Sequence, residues 1–452
     1  MKMQSVLKKI LRLCGILLLW GLLLFPTMVS AQQVQDADSL TYVLYQQQQW
    51  DELIQAGTAA IRAGIDHFYM QMRVGIAFYE KQNYRRAIPF FSQARQLNPI
   101  DEVATEYLYY SYLLSGRTAD ARVLLSQLTS THRQRLALQR SPVVDQIYIE
   151  GGPGFGTTDG VRNNYQNRQK NDSIYNQAWY YDNQQYYHAG INCNVLPQLQ
   201  TYQGVSLISV DAVQQVNSQR QPQPDFQHTA IQQEYYGNVQ YAFLPGWKLT
   251  PAWHLTRTRY DIRKFNYDNI QGLVSDTLSF TRHDNLFWLG ITKELGAFSA
   301  ELNGSLASFD GSNGWQTGIF VNVYPLGNLK LYTRTGLTVL DDDIDNNHLI
   351  FHQSVGTRVL PKLWLDVSAT IGNLRGYTEQ NAFVLFNIPE DARFKTEALV
   401  TWAATNHLEV SLRYRLMQRT SNYVAYINNQ DYIVLEKDYN FNTFIGGIKW
   451  QF

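Results

Sequence analysis

The segment "FIGGIKWQF", residues 444–452, closes the sequence on a period of two. Phe444, Gly446, Ile448, Trp450 and Phe452 fall on one face, and Thr443, Ile445, Gly447, Lys449 and Gln451 on the other. Successive side chains of a strand point to opposite sides. The stretch therefore reads as a strand with one greasy, aromatic face and one small or polar face. Soluble domains usually fray at their termini, so the question is which solvent each face meets.

The same alternation runs back through the chain to "SPVVDQIYIEGG" (141–152). Two kinds of connection interrupt it, in strict alternation. Short ones are "LPQ" (196–198), "LPGW" (244–247), "ELGA" (294–297), "YPLGN" (324–328), "LPK" (360–362) and "ATNH" (404–407). Longer, polar ones cover 157–183, 217–225, 265–277, 309–313, 341–347, 376–390 and 421–437. They divide the region into fourteen strands, near 145–155, 184–196, 199–216, 226–244, 247–264, 278–294, 297–308, 313–324, 328–340, 347–360, 362–374, 391–404, 407–420 and 438–452. An even strand number, with short turns at one end and long loops at the other, is the pattern of an outer-membrane barrel. The short turns belong to the periplasmic side, and an even count makes the barrel begin and end there. The fold class expected is α + β in separate domains: a helical segment, then a 14-stranded antiparallel transmembrane β-barrel over 141–452.

The faces fit a membrane. In "HLEVSLRYRLM" (407–417), Leu408, Val410, Leu412, Tyr414 and Leu416 oppose Glu409, Ser411, Arg413, Arg415 and Met417. Aromatics near strand ends, Trp247, Trp253, Phe298, Tyr324, Trp364 and Trp450, read as an interfacial girdle. The inner face is expected to carry Lys330, Arg334, Arg358, Arg393, Lys395, Arg413, Arg415 and Lys449, against Glu301, Asp366, Glu397 and Glu409. This basic excess leaves two readings open: a path that favours anionic cargo, or an ion-pair network bracing a closed barrel.

The other end reads "MKMQSVLKKILRLCGILLLWGLLLFPTMVSAQ" (1–32). Lys2, Lys8, Lys9 and Arg12 precede an apolar run from Leu13 to Phe25, and Val29-Ser30-Ala31 supplies small residues for cleavage. Residues 1–31 are expected to be a secretory signal peptide. Beyond it only Cys193 remains, so no internal disulfide is expected. No further run of 18 apolar residues exists.

Residues 32–140 show helical periodicity and are expected to form a periplasmic domain of helical repeats. "FYMQMRVGIAFYEKQNYRRAIPFFSQARQLNPID" (68–101) spans 34 residues. Val74, Gly75 and Phe78 occupy the Leu-Gly-x-x-Tyr positions of a tetratricopeptide (TPR) repeat, which the stretch resembles. Tyr84, Ala87, Phe91, Ala94 and Pro99 take the second-helix and closing positions. Gln71 stands where the repeat has tryptophan. Weaker neighbours place Trp50 and Ala60 in a repeat upstream, and Leu108, Tyr112, Gly116, Ala121 and Leu125 in one downstream. Three helix pairs are about the minimum for a stable stack, which offers a concave binding surface.

Formal net charge is zero, and no nucleic-acid footprint is visible. His254, His283, His348 and His352 are not grouped with a nucleophile, so no catalytic residue, cofactor or metal site is assigned. "GGPGFGTTDG" (151–160) lacks the Lys-Ser/Thr of a phosphate loop and reads as a flexible exit into the first long loop. Asp341, Asp343 and Asp345 alternate in "DDDIDNN" (341–347), but an EF-hand would need Gly at 346 and Glu at 352, where Asn346 and His352 stand. A solvated turn, with loose calcium binding as the alternative, is expected there.

The closing strand, through Phe444, Ile448, Trp450 and Phe452, resembles the C-terminal signal of bacterial outer-membrane proteins, which implies handling by the barrel-assembly machinery. Signal peptide, periplasmic TPR repeats and C-terminal barrel together resemble the exopolysaccharide-export porins, the Slam-type surface-lipoprotein translocators and TPR-containing YaiO-family outer-membrane proteins of Gram-negative bacteria. A short helical array with fourteen strands is nearest to the Slam type. No residue motif fixes any of these, so no functional residues carry over. The resemblance implies a non-enzymatic component for export or assembly of a surface protein, lipoprotein or exopolysaccharide. Its partners would be outer-membrane lipid and a periplasmic protein or cargo in the TPR groove. The alternatives are a plugged barrel anchoring a recruitment module, and a passive porin.

Overall fold

The computed structural model describes residues 31–135, 141–162, 175–218, 225–268, 272–309, 311–342, 347–387, 390–426 and 431–452. The expected signal peptide, apart from Ala31, lies outside them, as do Asp343 and Asp345 of the acidic loop. The chain forms two compact units, one ending at Leu108 and the other starting at Tyr109.

The first unit is helical: α1 Ala31–Gln46, α2 Trp50–Arg62, α3 Phe68–Glu80, α4 Tyr84–Leu97 and the start of α5 Glu102–Leu114. Side-chain caps fix the starts. Asn83 accepts from the Arg86 N–H ahead of α4 (3.3 Å), and Asp101 accepts from the Ala104 N–H ahead of α5 (2.7 Å). Val74, Gly75 and Phe78 lie on α3, and Tyr84, Ala87, Phe91 and Ala94 on α4, with Val74, Ala87, Phe91 and Ala94 fully buried. A methyl added at Gly75 would come within 2.7 Å of the Phe91 ring, so glycine there sets the close approach of the two helices. Pro99 lies two residues past the end of α4, after Asn98. The turns inside the three helix pairs each use a left-handed residue, Gln48, Gln82 and Gly116, 34 residues apart in each step. That spacing is a backbone expression of the repeat period.

The second unit carries the end of α5, α6 Thr118–Gln127 and α7 Ser130–Arg135. The strands follow: β1 Val144–Gly156, β2 Tyr175–Leu196, β3 Leu199–Ser218, β4 Phe226–Leu244, β5 Trp247–Asp268, β6 Gly272–Leu295, β7 Phe298–Phe309, β8 Ser312–Val323, β9 Leu331–Asp342, β10 His348–Leu360, β11 Leu363–Ile371, β12 Thr378–Glu379, β13 Val384–Leu385, β14 Asp391–Ala403, β15 Leu408–Tyr426 and β16 Tyr432–Gln451. All except β12 and β13 join in one closed antiparallel barrel of fourteen strands, in which β16 pairs with β1. Closure leaves no sheet edge facing lipid, as a spanning sheet requires. Asp120 of α6 accepts from the Gly246 N–H in the β4–β5 turn (2.9 Å) and binds Arg117 (2.8 Å).

The outward faces are apolar over a limited height. On β5, Leu249, Pro251, Trp253 and Leu255 give way to exposed Arg257 and Arg259. On β6, Leu289 and Phe287 give way to Asn285, His283 and Thr281. From Trp247 to Leu255 is nine residues, about what a tilted strand needs to cross a bilayer. Exposed Phe243, Phe298, Trp402, Trp450 and Phe452 mark the short-turn border of the band. Trp364, expected in that girdle, turns inward instead, opposite Arg358, whose guanidinium lies 6.0 Å from the ring centre. The glycine run after Glu150 does not exit into a loop: Gly151–Gly156 belongs to β1 and pairs with β16. A side chain at Gly152 would strike the Phe444 carbonyl, so glycine is what the approach of these strands requires.

The outward face makes a direct prediction. Leu412 of β15 is 58% exposed at mid-height. Leu412→Arg should lower barrel stability by about 2–4 kcal/mol in phospholipid vesicles, read by denaturant titration. The same change at Gln233, above the apolar band on β4, should have no measurable effect.

The barrel wall is uneven. Strands β7–β9 have 12 residues each and β11 has 9, whereas β5 and β6 have 22 and 24. The tall strands rise past the membrane band. At the top, Tyr423–Tyr426 of β15 pair with Tyr175–Ala178 of β2, although β16 and β1 lie between them in the barrel. β14 pairs with β15 only as far as Thr420, and β1 with β2 only as far as Asn183, so the two free edges meet. The β15–β16 hairpin must lean across the mouth to make this clasp. Ala178, Tyr423 and Ala425 are buried beneath it, and Ser421 Oγ donates to the Trp179 carbonyl (2.6 Å).

Candidate functional site

The connection between β11 and β14 was expected as an outer polar loop over 376–390. It folds into the lumen. Its "FVLF" (383–386) is apolar, and a small hairpin pairs Thr378 with Leu385 and Glu379 with Val384. At the tip, Gln380, Asn381 and Ala382 all hold left-handed backbone (φ 54°, 59° and 66°). Non-glycine residues rarely sit there, and such strain persists only where the surroundings impose it.

The far wall does impose it. Tyr236 O–H donates to the Asn381 carbonyl (3.0 Å), and His254 Nδ1–H donates to that of Ala382 (2.8 Å). Gln316 meets both backbone groups of Thr378 (3.1 Å each). Arg282 donates to the Asn387 carbonyl (3.0 Å). Ala382 is buried with Tyr236, Ala252, Leu286 and Trp288. Higher up, Leu374, Tyr377 and Phe386 pack with Leu340, Ile350, Val213, Met417 and Phe441. The centre of the lumen is thus a hydrophobic core that the chain builds from its own segment: a plug.

The charged residues brace this arrangement. Lys395 pairs with Glu379 of the plug, both nearly inaccessible (2.5 Å). Arg334 pairs with Glu301 (3.1 Å), Arg415 with Glu397 (2.9 Å) and Lys449 with Glu409 (2.7 Å). Arg413 lies 3.5 Å from Glu397 and 3.6 Å from Glu150 of β1, reaching across β16, where its own register partner is Ile445. Asp366 accepts from the Tyr332 hydroxyl. Lys330 sits in the turn before β9. Arg393 departs from the expected lumen set. A β-bulge between Ala392 and Phe394 breaks the alternation, so Ala392 turns inward and Arg393 is 59% exposed, paired with Glu436 (3.3 Å). Glu150 and Glu379 add two carboxylates to the lumen and offset the basic excess expected from the strands. Of the two readings left open, this network fits the bracing one.

Two cavities flank the plug. One, of about 320 Å³, is walled by Trp179, Tyr181, Tyr260, Phe386 and Arg419 among others. The second, of about 350 Å³, reaches Gln146, Glu409 and Lys449 towards the short-turn end. Both touch Glu150, Arg413 and Phe383, which form the partition between them.

His254 serves the plug, His352 bonds Thr370 (3.1 Å), and His283 is exposed on the outer face. Among the described residues no three His, Cys, Asp or Glu side chains group in a way that could hold a metal ion. Asp341 accepts from Trp315 Nε1 (3.1 Å). In the helical unit, Arg73 of α3 reaches Asp38 of α1 (2.7 Å) and lies over the Tyr42 ring (5.4 Å). The first helices of two successive pairs therefore lie side by side, with Tyr42, Val43 and Tyr69 exposed.

No family model matches the sequence, and no curated protein matches it. Among solved structures the chain is similar to the Pseudomonas putida toluene transporter TodX, at 8% identity over 69% of this chain and 90% of that chain, with a TM-score of 0.47. It is similar to a Pseudomonas aeruginosa FadL homologue at 8% identity over 68% and 90%, with a TM-score of 0.44. MamA from AMB-1 is 22% identical over 23% of this chain and 52% of that chain, with a TM-score of 0.20. These likenesses are of fold alone.

Proposed function

We propose that the chain is a non-enzymatic outer-membrane anchor holding a helical-repeat adaptor in the periplasm. There the adaptor recruits a partner for export or assembly of a macromolecule at the cell surface, a protein, lipoprotein or exopolysaccharide. The observation that carries this reading is the plug. A lumen filled by a packed, hydrogen-bonded segment of its own wall offers no route to a polysaccharide or an unfolded polypeptide, and the passive-porin reading weakens for the same reason. What remains for the barrel is to hold the repeats in place. Sidedness rests on topology: β1 starts and β16 ends at the short-turn end, which in such barrels faces the periplasm.

A photo-cross-linking residue at Tyr69, exposed on α3, tests this in cells. A discrete adduct with a periplasmic protein is expected, absent when the same residue replaces Leu289 on the lipid face. Labelling of position 69 by a membrane-impermeant reagent added outside intact cells would place the repeats on the surface and overturn the reading.

A further inference from the structure

The cavity walled by Trp179 and Arg419 has no part in anchoring, and its chemistry is specific. Aromatic and aliphatic side chains line it: Trp179, Tyr181, Tyr260, Ile262, Phe386 and Met417. Four arginines, Arg282, Arg413, Arg415 and Arg419, and two glutamates, Glu150 and Glu234, also reach it. Three of them are held by carboxylates close by. Arg282 lies 3.0 Å from Asp284, and Arg413 and Arg415 share Glu397.

Arg419 differs. It is 5% exposed, and among the described residues its buried Nε–H has no hydrogen-bond partner. The same is true of Arg413, but Arg413 lies between two carboxylates at 3.5 and 3.6 Å, and Arg419 has one, farther off. Among the described residues its one ion-pair partner is Glu390, 3.9 Å away; the near oxygen, Oε2, accepts from the Tyr439 hydroxyl (2.6 Å), and the other, Oε1, is buried without a partner. Its register partners are Ala392 on β14, which offers no acceptor side chain, and Tyr439 on β16, whose hydroxyl donates to Glu390 (2.6 Å) and accepts from the Tyr181 N–H (3.3 Å). The guanidinium lies over the Phe441 ring, 3.9 Å from its centre. A buried donor left unmade is unfavourable, and a guanidinium presents a fork that fits a planar two-oxygen anion.

We propose that this cavity is a binding site for a small amphipathic monoanion, an aromatic or aliphatic body bearing one carboxylate or sulfonate that pairs with Arg419. The apolar walls take the body. A neutral apolar molecule would leave the Arg419 donor unpaired. About 320 Å³ lies at the small end of ligand pockets, so the body is one fused ring pair or a short alkyl chain. The site does not depend on the repeats or on what they recruit.

The test is calorimetric titration of the chain from residue 32 onward in lipid nanodiscs with 2-naphthoate, octanoate and the uncharged 2-naphthamide. Saturable binding of an acid is expected, with the amide weaker by about tenfold or more, the range of one charge-assisted hydrogen bond. Arg419→Met should weaken the acid by a similar factor and the amide by much less, so that the preference for the acid is lost. Ala230→Trp, which fills the cavity without touching a charge, should abolish both. Heat-modifiable migration on gels confirms that each variant is folded. Acid and amide binding within twofold of each other in the unaltered chain overturns the proposal, even if Arg419→Met fails to fold. So does absence of saturable binding by both acids.

Discussion

Replacing residues 375–387 with a four-residue glycine–serine linker is expected to turn a closed barrel into a water-filled one. The linker is feasible because β11 and β14 are hydrogen-bonded neighbours, with Ile371 directly opposite Phe394; paired strands lie only about 5 Å apart. The ladder around the barrel does not use the removed residues. Tyr377, Ala382 and Phe386 leave with the plug, and the core they complete is lost. Tyr236, His254, Arg282 and Gln316 lose backbone partners. Lys395 loses Glu379. In a dry interior an uncompensated ammonium would be destabilising by about 3–5 kcal/mol; water entering the lumen relieves it. The plugless barrel should therefore hydrate rather than collapse. Liposomes carrying it should swell in small-sugar solutions, while those carrying the unaltered chain stay inert. Equal behaviour of the two would mean that the plug is not the closure.

Phe91→Ala is expected to unfold the helical unit while leaving the barrel intact. Phe91 is fully buried, stacks on Tyr107 at 5.1 Å and meets Tyr79 edge-on at 6.5 Å. Gly75 packs against the same ring. One side chain therefore joins α3, α4 and α5. Truncating a buried phenylalanine destabilises by about 3–5 kcal/mol, a large share of the roughly 5–15 kcal/mol that holds an ordinary domain. Trypsin should cut the membrane-embedded variant between residues 32 and 108 much faster than the unaltered chain, and the residue-69 cross-link should vanish. Heat-modifiable migration of the barrel should be unchanged. Unaltered proteolysis would mean that the helices are held by something other than this ring.

The barrel was legible because lipid writes a period of two wherever a strand crosses it. All fourteen strands were found from that signal, and the order of short and long connections fixed their topology. The upper parts of β2, β5, β6, β15 and β16 were not. Tyr175–Asn183, Phe265–Asp268, Gly272–Thr277, Ser421–Tyr426 and Tyr432–Lys437 read as loop, because above the membrane an outward face no longer has to be apolar. The alternation that marks a strand fades there. The clasp between β15 and β2 follows from those extensions and went unseen with them. The plug hid for a different reason. Its length and its Gly-Tyr-Thr-Glu-Gln-Asn start look like a surface loop, and only the apolar Phe383-Val384-Leu385-Phe386 run, out of place in a solvated loop, signalled burial. Arg393 shows the limit of parity: one bulge moves a side chain from one face to the other, and nothing in the residue types announces it.

The most direct measurement of the central claim is single-channel recording of the unaltered chain from residue 32 onward in planar bilayers, with and without residues 32–135. A lumen plugged by its own β11–β14 connection predicts no discrete conductance steps in either form. Stable, well-resolved steps from the unaltered chain would contradict it, and steps that changed on removal of the repeats would point to a gated pathway in place of an anchor.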